Sequence, residues 1–247
     1  MRQYTPMAAV EKALADNDPS AAWPDPARAL RHAGRWGTTV GMKVLMAGTG
    51  IVLVVFLVFH LAGNLLVYQG AAALNAYSAL LRREPMALWL ARAVLLVSVM
   101  VHIVAAARLW WRDWRARPVR YRRVVPQSAT LASRTMRWSG IAIAAFIVFH
   151  ILHLTTGTIR PAPFDELDVY HNVVGGFRLG WVATVYLVSM ALVGVHVWHG
   201  AWASLRSLGL SRPSPQPKHR PIAWVLALVL WAGFTSIPVA VLLGAVR

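Results

Sequence analysis

The run Ile51-Val52-Leu53-Val54-Val55-Phe56-Leu57-Val58-Phe59-His60-Leu61-Ala62-Gly63-Asn64 decides how the chain is to be read. It belongs to an apolar segment near 40–68 that is hydrophobic on every side, not along one stripe. At 1.5 Å per residue, about 20 such residues cross the roughly 30 Å hydrocarbon layer of a bilayer. In hydrocarbon only helices and closed barrels satisfy their own backbone groups, and a run this long and apolar reads as a helix. The single histidine near its far end is then a second signal, since an ionisable side chain at that depth costs free energy and marks function.

Four more segments repeat the pattern, near 86–110, 138–159, 179–205 and 222–244. Polar or Pro-bearing breaks separate them, such as Arg82-Arg83-Glu84-Pro85, Arg160-Pro161-Ala162-Pro163 and Ser211-Arg212-Pro213-Ser214-Pro215. The expectation is an all-α integral membrane bundle of five transmembrane helices covering 39–247, preceded by a cytoplasmic segment over 1–38. Glu11, Asp16, Asp18 and Asp25 interrupt any apolar run there, so it reads as no signal peptide, with a short surface helix within Met1–Asp25. Composition agrees. Of 247 residues 57% are hydrophobic and 14% charged, with a mean hydropathy of +0.52, against about 45–50% and about 25% in soluble domains. There is no cysteine, which excludes disulfides, thiolate-held iron–sulfur clusters and thioether-linked haem in this chain.

The net charge of +16 is first a topology signal. Nineteen of the 25 basic residues fall in the N-terminal segment, the segment between the second and third spans, and the last internal loop. Arg82, Arg83, Arg92, Arg160, Arg178 and Arg247 make up the other side. By the positive-inside rule the N-terminus and both basic loops are cytoplasmic and the C-terminus is outside. Anionic lipid and an acidic soluble partner are the expected neighbours of the basic face, and nucleic acid is not.

Six of nine histidines lie in the spans: His60, His102, His150, His153, His196 and His199. Helices one and three run outward and carry His60 and His150 about eight residues from their outer ends. Helices two and four run inward and carry His102 and His196 about eight or nine residues from their inner ends. Two layers result, roughly 10–15 Å apart from the helical rise. Two opposed neutral imidazoles at one depth are what a six-coordinate b-type haem requires, and bundle cores are where such sites are built. Gly48, Gly50, Ala62, Gly63, Gly140, Ala144, Gly194 and Gly200 would admit a flat macrocycle, or simply let helices pack. An internal echo supports the pairing: Phe56-Leu57-Val58-Phe59-His60 matches Phe146-Ile147-Val148-Phe149-His150, and Val101-His102 matches Val195-His196. His153 and His199, three residues on, are rival ligands. His32, His171 and His219 read as solvated.

These residues resemble the cytochrome b subunit of succinate dehydrogenase, in its single-subunit, di-haem, five-helix class, with the actinobacterial type most similar. The resemblance rests on Lys43-Val44-Leu45-Met46-Ala47-Gly48, His60-Leu61-Ala62-Gly63-Asn64-Leu65, Ala116-Arg117-Pro118 and Ser133-Arg134-Thr135-Met136-Arg137-Trp138. It continues through Phe149-His150 to Thr158, Tyr170-His171-Asn172-Val173-Val174, and Gly194-Val195-His196 with His199-Gly200, covering about 40–240. It implies that His60 and His150 hold the outer (distal) haem, and His102 and His196 the inner (proximal) one. It further implies a flavoprotein subunit and an iron–sulfur subunit on the cytoplasmic face, with electrons passing from succinate through them to a quinone, menaquinone in this class. His153 departs from relatives that carry an acid there.

Candidates to bind a haem propionate or the quinone are Lys43, Arg108, Trp111, Arg134, Arg137 and Trp138 near the inner face. Near the outer face they are Asn64, Tyr77 and His153. No nucleophile–base pair or redox cysteine occurs, so the chain contributes anchoring, ligation and a quinone pocket. Another di-haem membrane oxidoreductase, of the ascorbate or ferric reductase type, places four histidines in the same two layers and is the alternative. A proton-relay transporter fits less well, because the one helix break, at Ser236-Ile237-Pro238, has no counterpart in an inverted repeat.

Overall fold

The computed structural model describes residues 37–116, 131–211 and 220–247, without the side chains of 131–134. The expected surface helix within Met1–Asp25, and His32, His219 and the Arg134 side chain, lie outside the described residues. Contacts divide the chain into Met1–Met42 and Lys43–Arg247. In the first unit Thr38 starts a helix, its hydroxyl accepting the Gly41 N–H at 3.0 Å in a side-chain N-cap.

Seven helices of more than five residues are described: α1 Thr39–Asn64, α2 Ala71–Arg82, α3 Pro85–Arg115, α4 Leu131–His150, α5 Val169–Phe177, α6 Gly180–Ser207 and α7 Arg220–Leu242. A 3₁₀ turn (Leu65–Gln69) extends α1 and a π-turn (Ile151–Thr155) extends α4. No strand occurs among the described residues. Five of these units are long and apolar enough to cross a membrane: Thr39–Gln69, Pro85–Arg115, Thr135–Thr155, Gly180–Ser207 and Arg220–Leu242. The all-α bundle of five spans expected from hydropathy is therefore present, the architecture of a multi-pass membrane protein. Pro85 opens α3 at a position where its missing N–H costs nothing. Pro238 is tolerated inside α7, fully buried against its neighbours.

Two short helices, α2 and α5, stand where hydropathy gave only breaks. They dock on each other and build the largest core. Val67, Leu74, Tyr170, Val173, Val174, Phe177, Val182, Tyr186, Ile237 and Val241 pack together there, joining the α1–α2 turn and α5 to one end of α6 and α7. Asp168 caps α5 by accepting the His171 N–H at 3.1 Å. Asn75 of α2 donates to the same carboxylate at 2.9 Å while its own carbonyl accepts the Tyr170 N–H at 3.0 Å. His171 is solvent-exposed, as the sequence reading expects, yet its imidazole pairs with Asp168 at 2.5 Å. A second core of Leu61, Val197, Ala227 and Leu230 ties α1 to α6 and α7.

Candidate functional site

The structure brings the four layered histidines together as two pairs. His60 of α1 faces His150 of α4, ring centroids 5.8 Å apart and edge to face at 85°. His102 of α3 faces His196 of α6, centroids 6.3 Å apart and tilted at 58°. The rivals lie elsewhere. His153 is buried with its ring against Tyr186 of α6 and Phe149, and His199 packs on Trp202 at 5.3 Å.

Each inner histidine is held through Nδ1. His102 Nδ1 lies 3.0 Å from the Met46 carbonyl and 3.3 Å from the Thr49 hydroxyl, both on α1. His196 Nδ1 lies 3.2 Å from the Ser139 hydroxyl on α4. A hydroxyl has one proton to give. Ser139 gives its proton to the Met136 carbonyl at 3.1 Å, and Thr49 gives its own to Leu45 at 2.7 Å. Both oxygens can then only accept, and so can the Met46 carbonyl. His102 must therefore carry its proton on Nδ1 against the Met46 carbonyl, and His196 does the same while Ser139 donates to Met136; each then has a lone pair on Nε2, which no hydrogen bond from the described residues occupies. This is the tautomer of a metal ligand, fixed by its outer-shell partner.

Thr49 and Ser139 were not singled out in the sequence, although a signal for them existed. The 90-residue echo that relates His60 to His150 also relates Met46 to Met136, Thr49 to Ser139, Gly50 to Gly140 and Ile51 to Ile141. The two glycines are part of the same device. A Cβ on Gly50 would stand 3.3 Å from His102 Cε1, and one on Gly140 would stand 3.7 Å from His196 Cε1. The other small residues divide differently: Gly63 takes the Tyr77 ring and Gly194 takes Trp231, while Gly48 and Gly200 face open space. His60 and His150 each lie eleven residues beyond their own helix's hydroxyl. The layers are thus about 16 Å apart along the axis, slightly more than hydropathy alone indicated.

The outer pair is held differently. Tyr186 Oη stands 3.3 Å from His150 Nδ1 and 3.0 Å from His153 Nδ1. His60 stacks on Phe56 and meets Phe234 of α7. Its Nδ1 is 3.3 Å from the Asn64 amide nitrogen, whose main bond is to the His60 carbonyl at 2.7 Å. An N–H donor there is the one outer-shell contact that does not itself favour a proton on Nδ1.

The remaining candidates scatter. Tyr77 is half-buried on Gly63, and Lys43 is exposed. Arg108 lines a shallow groove of about 420 Å³ with Val104, Ala107, Trp111 and Arg112 along α3. Arg137 pairs with Asp113 at 3.6 Å and lies over the Trp110 ring at 5.5 Å, joining α4 to α3. Trp138 is exposed. His199, which the sequence offers as a ligand or as a partner for a propionate or quinone, has company that the sequence reading did not offer: its Nδ1 and Trp198 Nε1 are buried without a partner among the described residues, and Arg220 lies over the Trp198 and Trp202 rings.

Comparison with protein-family models, with curated proteins and with solved structures gives no match for this chain.

Proposed function

We propose that this chain is the membrane-anchoring cytochrome b subunit of a succinate dehydrogenase, holding two b haems and serving electron transfer from an iron–sulfur subunit to a quinone. One observation carries the reading: two facing histidine pairs at two depths, each pair shared between two helices. A metal held between two facing imidazoles by bonds of about 2 Å would need their ring centroids about 6.4 Å apart. The pairs stand at 5.8 and 6.3 Å. The inner pair fits in tautomer as well as in distance.

Held by His60 with His150 and by His102 with His196, the two haems would supply one-electron chemistry. The protein's own residues do the rest. His102 and His196 present Nε2 lone pairs, Met46, Thr49 and Ser139 hold their rings, and Gly50 and Gly140 leave the rings room. The orphaned Nδ1 of His199 and Nε1 of Trp198, beside Arg220, would satisfy a carboxylate such as a propionate. At His60, ligation through Nε2 would put the proton on Nδ1 and would require the 3.3 Å contact from the Asn64 amide to open.

In this reading the basic segments lie in the cytoplasm and meet the iron–sulfur and flavoprotein subunits, in a bacterial inner membrane. Menaquinone is the acceptor that the resemblance implies. The test is haem content and redox titration of the purified complex, comparing wild type with His60→Ala and His102→Ala. Two b haems per chain, each variant losing its own layer, together with succinate:quinone activity, is the expected result. One haem or none overturns the two-layer assignment, and two haems reducible by ascorbate but not by succinate would favour the other class of di-haem oxidoreductase.

A further inference from the structure

We propose that Tyr186 is a positioning residue for His150, and that His153 sets the direction in which its hydroxyl points. The inference rests on the haem reading above, and concerns how the outer site is tuned.

Two imidazole Nδ1 atoms share one phenol, at 3.3 Å for His150 and 3.0 Å for His153. The phenol has one proton, so it donates to one ring and accepts from the other. Were it to donate to His150, that ring would carry its proton on Nε2 and could not ligate. The shorter contact runs the other way. Tyr186 donates to His153 Nδ1, its oxygen accepts the His150 Nδ1–H, and the lone pair of His150 Nε2 is left for the iron. His153 thereby serves the site without touching the metal.

Both partners are held in place. His153 is 4% exposed, stacks on Phe149 at 5.5 Å, and lies so close to α5 that a Cβ on Gly176 would come within 2.9 Å of its ring. Tyr186 is wedged edge-on against Phe146, Phe149 and Phe177. His153 lies in the π-turn that follows His150, closed by the Thr156 N–H on the Ile151 carbonyl at 3.0 Å. Such turns are rare and often occur at functional sites. The inner site has nothing comparable, because its acceptors are a main-chain carbonyl and two hydroxyls already committed to their own helices.

The test uses the intact membrane complex with Tyr186→Phe, His153→Leu and His153→Asn, read by haem content, by the g values of each low-spin ferric haem and by separate midpoint potentials. An acceptor on Nδ1–H makes the ligand more basic and favours the ferric state. Tyr186→Phe should therefore keep two haems while raising the outer potential and moving the outer g values, with the inner haem unchanged. His153→Leu should do the same. His153→Asn places an amide oxygen where Nδ1 stood and should restore the outer signature. If His153→Leu leaves that signature unmoved while Tyr186→Phe shifts it, or if both variants are silent, the inference is overturned. A wild-type complex without two haems would instead overturn the function proposed above, and the inference with it.

Discussion

Ser139→Ala tests how the inner ligands are held, and its size follows from the geometry. Ser139 is 1% exposed, and its oxygen is the one protein acceptor for His196 Nδ1–H among the described residues. In the empty protein the imidazole can shift its proton to Nε2, so truncation costs the fold little. With Nε2 bound to metal that escape is closed, and a buried donor without an acceptor costs about 1–3 kcal/mol. At about 1.4 kcal/mol per decade this is roughly 5- to 150-fold in affinity at the inner site. It overlaps the range of about 10- to 100-fold for loss of an outer-shell partner of a metal ligand. Thr49→Val is the internal control. His102 keeps the Met46 carbonyl at 3.0 Å, so only the longer half of a shared bond is lost. The low end of a net hydrogen bond, about 0.5 kcal/mol or 2- to 3-fold, is expected. The assay is transfer of haem from the purified complex to excess apomyoglobin, with the inner and outer phases assigned by their potentials. Ser139→Ala should accelerate the inner phase well beyond Thr49→Val and leave the outer phase alone. Equal effects of the two substitutions, or an effect on the outer phase, would refute the reasoning.

Three further outcomes are expected. Gly50→Val should displace the His102 ring, since the first added carbon already stands 3.3 Å from it, and should lower haem content by the inner haem only; Gly140→Ala, at an ordinary 3.7 Å, should leave it unchanged. Gly63→Ala puts a carbon 2.5 Å from the Tyr77 ring, so the ring must move aside; overpacking of this kind costs about 1–3 kcal/mol, visible as a lower thermal midpoint in detergent. The Asn75 amide, the His171 N–H and the His171 side chain hold the Asp168 carboxyl below its ordinary value of 3.8. A lowered folded-state value means that the clasp between α2 and α5 is at full strength above pH 3.8 and weakens as pH falls below it. Hydrogen exchange across α5, corrected for intrinsic rates, should lose protection as pH falls below about 4, and Asn75→Ala, which lets the folded-state value rise toward 3.8, should make that loss smaller.

The spans were legible because a bilayer asks one thing of a sequence, some twenty apolar residues in a row, and each of the five meets it. The pairing of the histidines was legible because alternating helix direction converts residue number into depth. What could not be read was carried by local contacts. α2 and α5 are too short for a hydropathy run, and α5 owes its place to Val173, Val174 and Phe177 meeting α6 and α7, partners distant in sequence. Thr49 and Ser139 look like ordinary small polar residues in apolar helices until the structure shows which imidazole each one meets.

The echo separates the two layers more sharply than depth does. Superposing α1 on α4 at a spacing of 90 keeps Met46 and Met136, Thr49 and Ser139, Gly50 and Gly140, the residues that clamp the inner pair. It also keeps Phe56 and Phe146 below the outer histidines. Beyond His60 and His150 it fails: Gly63 answers to His153, and Asn64 to Leu154. In the first half that position lets Tyr77 close on the helix, while in the second it supplies the ring that meets Tyr186. The inner site thus uses the same hydroxyl and glycine positions twice, with the Met46 carbonyl added at His102 alone. The outer site joins two unlike halves, one histidine facing the Asn64 amide and the other facing Tyr186, with His153 behind it. Under the haem reading proposed above, a difference in potential between the layers follows from that asymmetry, and the outer pair is where substitution should tune it.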